Sequence, residues 1–142
     1  AVDPDRQVRE ALAANQRTPP TVLIQLLADP VFMVRWDAAR NPSATPGVLD
    51  QALREQATAE AVAQTVDRLP EGLVERVLAH PAPQVRERAA EATTSGPLLH
   101  RLAGDTSPNV RAAVAVNPAT TPDVLEQLAA DPLAPVRRAA AA

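Results

Sequence analysis

The chain of 142 residues has no Cys, no Lys, four Gly and only two aromatic side chains, Phe32 and Trp36. Without Cys there is no disulfide, no cysteine-bound cluster and no thiol nucleophile. Two aromatics exclude a single large aromatic-filled core. No apolar run approaches the roughly 20 residues of a membrane helix, and no basic n-region followed by an apolar h-region marks a signal peptide. The expected location is the cytoplasm. The chain opens on Ala and not on Met, which leaves processing and excision from a longer protein as open readings. All 14 basic residues are Arg, set against 17 Asp plus Glu, for a formal charge of −3. Nucleic-acid binders usually carry a basic stripe, so this balance speaks against nucleic acid.

What is abundant is small or rigid: 30 Ala and 15 Pro. Proline lacks the N–H and clashes with the preceding turn, so it breaks long helices. Hydrophobic residues still make up 46%, too many for a disordered chain of low hydrophobicity. The expectation is a protein of many short elements packed closely by small side chains. The Ala, Pro and Arg bias also fits a GC-rich bacterial genome.

A repeat runs through the whole chain, the first thing to seek in any sequence. Val-Arg occurs at Val8-Arg9, Val34-Arg35, Val85-Arg86, Val110-Arg111 and Val136-Arg137, with spacings of 26, 51, 25 and 26. The gap of 51 is two periods, so the third unit has lost the pair. A second ladder reads Val22-Leu23, Val48-Leu49, Leu73-Val74, Leu98-Leu99 and Val124-Leu125. A third is Asn15, Asn41, Asp67, Ala92 and Asn117, and a fourth is built on Asp3-Pro4, Asp29-Pro30, Asp105 and Asp131-Pro132, with Glu55 and His80 in the remaining places. The single repeat domain, 1–142, divides into units 3–28, 29–54, 55–79, 80–104 and 105–130, with a partial unit 131–142.

Each unit reads as two short helices. In 105–130, Asp105 can cap a start, and the first helix ends at Asn117-Pro118, where Asn tolerates the left-handed conformation that closes helices. Thr121 caps the second helix, and Pro122 sits at its first position, where a missing N–H costs nothing. Helices this short are marginal alone and suit partial 3-10 geometry. The Val column of the first helix and the stripe Val124, Leu125, Leu128 and Ala129 of the second predict a buried face. The Ala column at Ala13, Ala39, Ala90, Ala115 and Ala141 predicts close backbone approach. The expected fold is all-α: an α-solenoid of short helix pairs, about five and a half repeats of 25–26 residues, with about ten helices and no sheet.

The run from Asp29 to Leu53 and the unit from Asp105 to Ala130, each with Val-Arg, Asn-Pro and Thr-Pro-x-Val-Leu or its near copy, resemble the leucine-rich repeat variant family. That resemblance implies a right-handed superhelix of alternating α- and 3-10 helices within the armadillo/HEAT class, and no enzymatic activity. Members can carry a cysteine-bound iron–sulfur module. This chain has no Cys, so that module does not carry over, and no cofactor is expected.

The candidate sites lie where the repeat breaks. Phe32, Met33 and Trp36 stand where unit one has Arg6, Gln7 and Glu10 and unit four has Pro83, Gln84 and Glu87. Columns that are polar elsewhere are expected to face solvent, so these bulky side chains form a candidate partner-binding patch, which Val62 would extend. The competing reading is that Trp36 fills a gap over the degenerate third unit. That unit is either drift in a tolerant array or a local change of curvature that shapes a binding surface. The ladder Arg9, Arg35, Arg86, Arg111 and Arg137 is either structural, paired with the Asp column, or an anion-contact stripe; the structural reading is the stronger. His80 and His100 lack any zinc-ligand spacing, and no nucleophile or phosphate-loop motif is present. The leading functional expectation is a non-enzymatic scaffold that binds a protein or peptide. The alternatives are nucleic-acid or anion binding through the Arg ladder, or a structural spacer. Uncapped ends, which expose apolar surface in solenoids, predict self-association or terminal partners in a longer chain.

Overall fold

The structure, a computed structural model, describes residues 4–142, with side chains from Asp5 onward. These residues form eleven α-helices and one 3-10 turn, Val66–Arg68, with no strand. In chain order the helices are α1 (Pro4–Ala14), α2 (Pro20–Leu26), α3 (Phe32–Ala39), α4 (Pro46–Ala52), α5 (Gln56–Ala63), α6 (Glu71–Leu78), α7 (Pro83–Ala92), α8 (Gly96–Leu102), α9 (Pro108–Val116), α10 (Pro122–Ala129) and α11 (Ala134–Ala141). Proline lies in the first turn of α2, α4, α7, α8, α9, α10 and α11. There its absent N–H is one that no helix would bond, and its fixed φ favours the start.

The alternation of α- and 3-10 helices is not seen among the described residues. The second helices close with α-type bonds, Leu27 N–H to Leu23 O at 3.0 Å, Leu53 N–H to Leu49 O at 3.0 Å and Ala103 N–H to Leu99 O at 2.9 Å. Leu, unbranched at Cβ, on a buried face sustains the wider α turn, even over seven residues.

The odd-numbered helices α1, α3, α5, α7, α9 and α11 pack side by side in one row, each against the next. In the second row α2 packs on α4 and α4 on α6. Between the rows lie Leu23, Val48, Leu73, Leu99 and Val124, all buried, with Leu26, Leu102 and Leu128 beneath them. Leu125 is only half-buried and Ala129 is exposed, so the burial expected there falls on Val124 and Leu128.

Each first-row helix has two faces. Val34, Val85, Val110 and Val136 are fully buried, while Val8 is 58% exposed because no described helix stands in front of α1. The Val column therefore faces the preceding helix. Ala13, Ala39, Ala90 and Ala115 are buried and Ala141 is exposed, so the Ala column faces the following one. A methyl group set against a Val lets neighbouring helices interdigitate closely.

Register shifts at the third pair. Burial along α5 matches α3 at an offset of 24, so Thr58 takes the place of Val34, and Glu60 that of Trp36. The Val-Arg place is thus Thr58-Ala59 and not Glu60-Ala61: the turn from α4 into α5 is two residues shorter than the period assumes. The loss is made up before α7, which restores Val85. The Asn ladder corrects similarly. Thr93, one residue past the end of α7, occupies the place assigned to Ala92, and its Oγ1 accepts from Ser95 N–H at 3.0 Å as an Asn side chain would.

Candidate interaction surface

The Arg ladder lies along the edge where each second helix turns into the next first helix. Each Asp on that edge folds its own turn: Asp29 Oδ1 accepts from Val31 N–H at 2.8 Å, Asp105 Oδ1 from Ser107 N–H at 2.8 Å, and Asp131 Oδ1 from Leu133 N–H at 2.9 Å. This is the Asx-turn geometry these side chains favour. Asp105 thus closes the turn upstream of α9 and does not cap the helix itself. The Arg six residues later then donates to the backbone carbonyl of that position: Arg35 to Asp29 O at 2.7 Å, Arg86 to His80 O at 2.6 Å, Arg111 to Asp105 O at 2.8 Å, and Arg137 to Asp131 O at 2.7 Å.

The same guanidinium reaches forward to the carboxylate of the next turn. Arg86 grips Asp105 with two bonds, 2.8 and 3.1 Å, and Arg111 grips Asp131 at 2.7 and 3.2 Å. Arg9 Nε lies 2.6 Å from Asp29 Oδ2 as an ion pair without hydrogen-bond alignment. The Arg111 hydrogen bond holds the Asp131 carboxyl below the usual carboxylate range against the opposing effect of burial. A planar fork matched to a carboxylate makes Arg hard to replace by Lys at such a site.

The ladder breaks around the third pair on both sides at once. Arg35 forms no ion pair, although Glu55 stands in the next place of the Asp column, and it lies over the Phe32 ring at 5.7 Å. His80, in the Asp place, has no Arg behind it. Its Nδ1 accepts from Ala82 N–H at 3.1 Å and its Nε2 meets Leu53 O at 3.1 Å, which assigns the proton to Nε2. A neutral imidazole with one acceptor and one donor thus takes the role of a carboxylate whose cation is missing.

On the opposite edge, buried Asn41 and Asn117 tie neighbouring pairs together. Asn117 Nδ2 donates to Ala90 O at 2.7 Å and Thr93 O at 2.8 Å, and its Oδ1 accepts from Ala119 N–H at 2.8 Å. Asn41 does the same with Ala13 O, Asn15 O and Ser43 N–H. Asn117 is extended, at φ −72° and ψ 124°, and the described non-Gly residues include none with positive φ. Asn therefore acts through its amide and not by closing the helix in a left-handed conformation. Asp67, in the same column, has no N–H to give. It accepts instead from Thr93 Oγ1 at 2.5 Å, Thr94 N–H at 2.8 Å and Thr94 Oγ1 at 2.9 Å. Burial pushes its carboxyl up, but these three bonds outweigh it and hold it below the usual range.

Phe32 and Met33, 46% and 47% exposed, stand on the open face of α3, with Trp36 half-buried beside them. The rings of Phe32 and Trp36 lie 5.5 Å apart, tilted at 38°, within the centroid range of interacting aromatic pairs. Val62 does not join them. It is fully buried, because the shortened turn before α5 rotates it into the column of Ala38. Elsewhere, His100 lines a hollow of about 480 Å³ between α8 and α10 with Gly96, Arg101 and Asp123. The Asp123 carboxyl is held down chiefly by a hydrogen bond from the Thr121 hydroxyl, so Thr121 stands at the helix start without a capping bond of its own. No group of three or more His, Asp or Glu among the described residues could hold a metal ion, and none of their helices is long and apolar enough to cross a membrane.

Residues 108–133 match the leucine rich repeat variant family. The leucine rich repeat variant is a HEAT-like helical repeat, and the matched stretch holds α9, α10 and the turn into α11. It contains Arg111, Asn117 and Asp131, so both inter-helix devices fall inside the leucine rich repeat variant segment. No curated protein and no solved structure matches the chain. The bonding roles of Asn117 and His80 escape sequence reading, because each depends on a carbonyl some 25 residues away. The recurrence of Asn before Pro was the available signal.

Proposed function

We propose that the chain is a non-enzymatic scaffold, a right-handed solenoid of about five and a half repeats that holds a protein partner on the open face of its first helix row. The observation that carries this reading is the pair of half-exposed side chains Phe32 and Met33 beside Trp36, in columns that hold Arg6, Gln7 and Glu10 in the first helix pair and Pro83, Gln84 and Glu87 in the fourth. A contiguous patch of bulky apolar groups on a soluble protein often marks a partner site, and Trp is enriched among residues that dominate binding. The anion-contact alternative draws less support: Arg9, Arg86 and Arg111 already meet carboxylates.

The test is capture from lysate of the native host by wild-type protein and by Trp36→Ala and Phe32→Ala variants of unchanged far-UV circular dichroism. Specific partners retained by wild type and lost from both variants are the expected result. An identical set on all three baits would overturn the reading.

A further inference from the structure

The corrected register places Trp36 in a line down the first helix row with Glu10 before it and Glu60, Glu87 and Ala112 after it, all five half-buried. Glu60 and Glu87 stand on adjacent helices α5 and α7. Around them the charge is unbalanced. Of the three carboxylates Glu60, Glu87 and Glu91, Arg88 pairs with Glu60 at 3.4 Å and Glu91 at 3.6 Å, and Arg40 is the other guanidinium lining the same hollow. Burial first, and then the neighbouring Glu91 and Glu60 charges, push the Glu87 carboxyl above its ordinary value despite Arg88. Alongside the line a hollow of about 340 Å³ opens between Arg40, Gln64, Arg88, Glu91 and Ala92. Beyond it, Val116 of α9 is again exposed. The face is therefore apolar at Met33 and Trp36, acidic over α5 and α7, and apolar again at Ala112 and Val116.

We infer that this face binds an extended basic segment of a partner protein, with an apolar residue on Trp36 and Met33, basic residues over Glu60 and Glu87, and a second apolar residue at Ala112 and Val116. The inference rests on the scaffold reading above and specifies the partner's chemistry. The spacing follows from the row. Packed helices lie about 8–10 Å apart, and an extended chain advances about 3.3 Å per residue. About three residues therefore span each step, and the matching segment reads apolar-x-x-basic-x-x-basic-x-x-apolar. The cations would relieve a carboxylate cluster that the protein itself leaves short of positive charge, and such attraction weakens with added salt.

The test is a titration of Trp36 emission with the synthetic peptides LSSRSSRSSL, LSSQSSQSSL and LSSESSESSL, on the full chain. The expected result is a blue shift on binding LSSRSSRSSL, with affinity about tenfold above the Gln peptide, the worth of two half-buried ion pairs. In a Glu60→Gln, Glu87→Gln double variant of unchanged far-UV circular dichroism the two peptides should bind alike. Equal binding of the Arg, Gln and Glu peptides, an Arg preference that survives in the double variant, or no response to any of the three would overturn the inference. The capture experiment with Trp36→Ala and Phe32→Ala fails or succeeds independently, so a docking face of different charge preference remains distinguishable from no docking face.

Discussion

Replacing Asn117 by Asp changes one heavy atom and abolishes two hydrogen bonds, setting acceptor against acceptor. Asn117 is 8% exposed, and its amide nitrogen sits 2.7 and 2.8 Å from two backbone carbonyls of the preceding helix pair, Ala90 O and Thr93 O. Each bond contributes roughly 1 kcal/mol net, and a buried carbonyl left without a donor costs about 1–3 kcal/mol. Asn117→Ala, which removes the donor and the Ala119 bond together, should therefore cost about 2–4 kcal/mol. Asn117→Asp keeps the Ala119 bond but sets a carboxylate oxygen against both carbonyls. Burial and that repulsion raise the folded-state pKa of the introduced acid above its unfolded value of about 4. Its ionised form thus destabilises the fold, so the variant is least impaired below pH about 4 and loses stability as pH rises through the raised value. Urea melts followed by circular dichroism at pH 4 and pH 7.5 read this directly. At pH 7.5 Asn117→Asp should be at least as unstable as Asn117→Ala, and at pH 4 the gap should close or invert. An Asp variant more stable than the Ala variant at pH 7.5, or a gap unchanged by pH, would refute the assignment of the amide as the tie between neighbouring pairs.

Leu99→Ala, at a fully packed position between the rows, should cost about 2–5 kcal/mol, and Leu133→Ala, at an exposed turn, less than about 1 kcal/mol; equal denaturation midpoints would show that the buried column is misplaced. Trp36 emission should lie between the limits of buried and free indole and be quenched by acrylamide, and full protection would mean that the ring is sealed against the third pair. Glu87→Gln should stabilise the protein at neutral pH and do little below pH about 4, since a raised folded pKa means stability is lost as pH rises through it; thermal melts across pH check the sign. Asp131, held down by Arg111, behaves oppositely: it stabilises above the ordinary carboxylate range and loses that contribution as pH falls, so Asp131→Asn should flatten the acid side of the stability profile.

The helix pairs themselves were legible because two ladders encode them physically. Val at one column and Ala at another mark the two sides of each first helix, and Pro marks helix starts. The α10 boundaries follow from Thr121-Pro122 and Asp131-Pro132 alone. The pairing of Arg with Asp was visible as columns, but not its direction. The forward reach of Arg111 to Asp131, together with its backward bond to Asp105 O, emerges only from the turn geometry. The misplacement of Val62 has a plain cause. Repeat counting assumes a constant turn length, and two residues missing before α5 rotate every side chain of that helix by more than half a turn. The same shift moved Glu60 into the Trp36 line, where an acidic neighbour had not been anticipated. His80 reads from sequence as a capping or surface residue in the Asp column, and its bonding depends on the Arg lost from the pair before it.

The interrupted ladder also sets where the chain would come apart. Arg9 with Asp29, Arg86 with Asp105 and Arg111 with Asp131 each bolt one turn to the next, and Asn41 and Asn117 stitch the other edge. Between the second and third pairs neither device operates, because Arg35 pairs with no carboxylate and Asp67 turns its side chain toward the fourth pair. What spans that joint is apolar packing, the buried Thr58 hydroxyl bond to Ala52 O, the Asp50–Arg76 contact near the surface and the His80 bond to Leu53 O. In a linear array, cooperativity is carried from neighbour to neighbour, and local opening follows the weakest coupling. By that logic the joint between α3–α4 and α5–α6, beside Trp36, is where a force pulling along the array is expected to part it first.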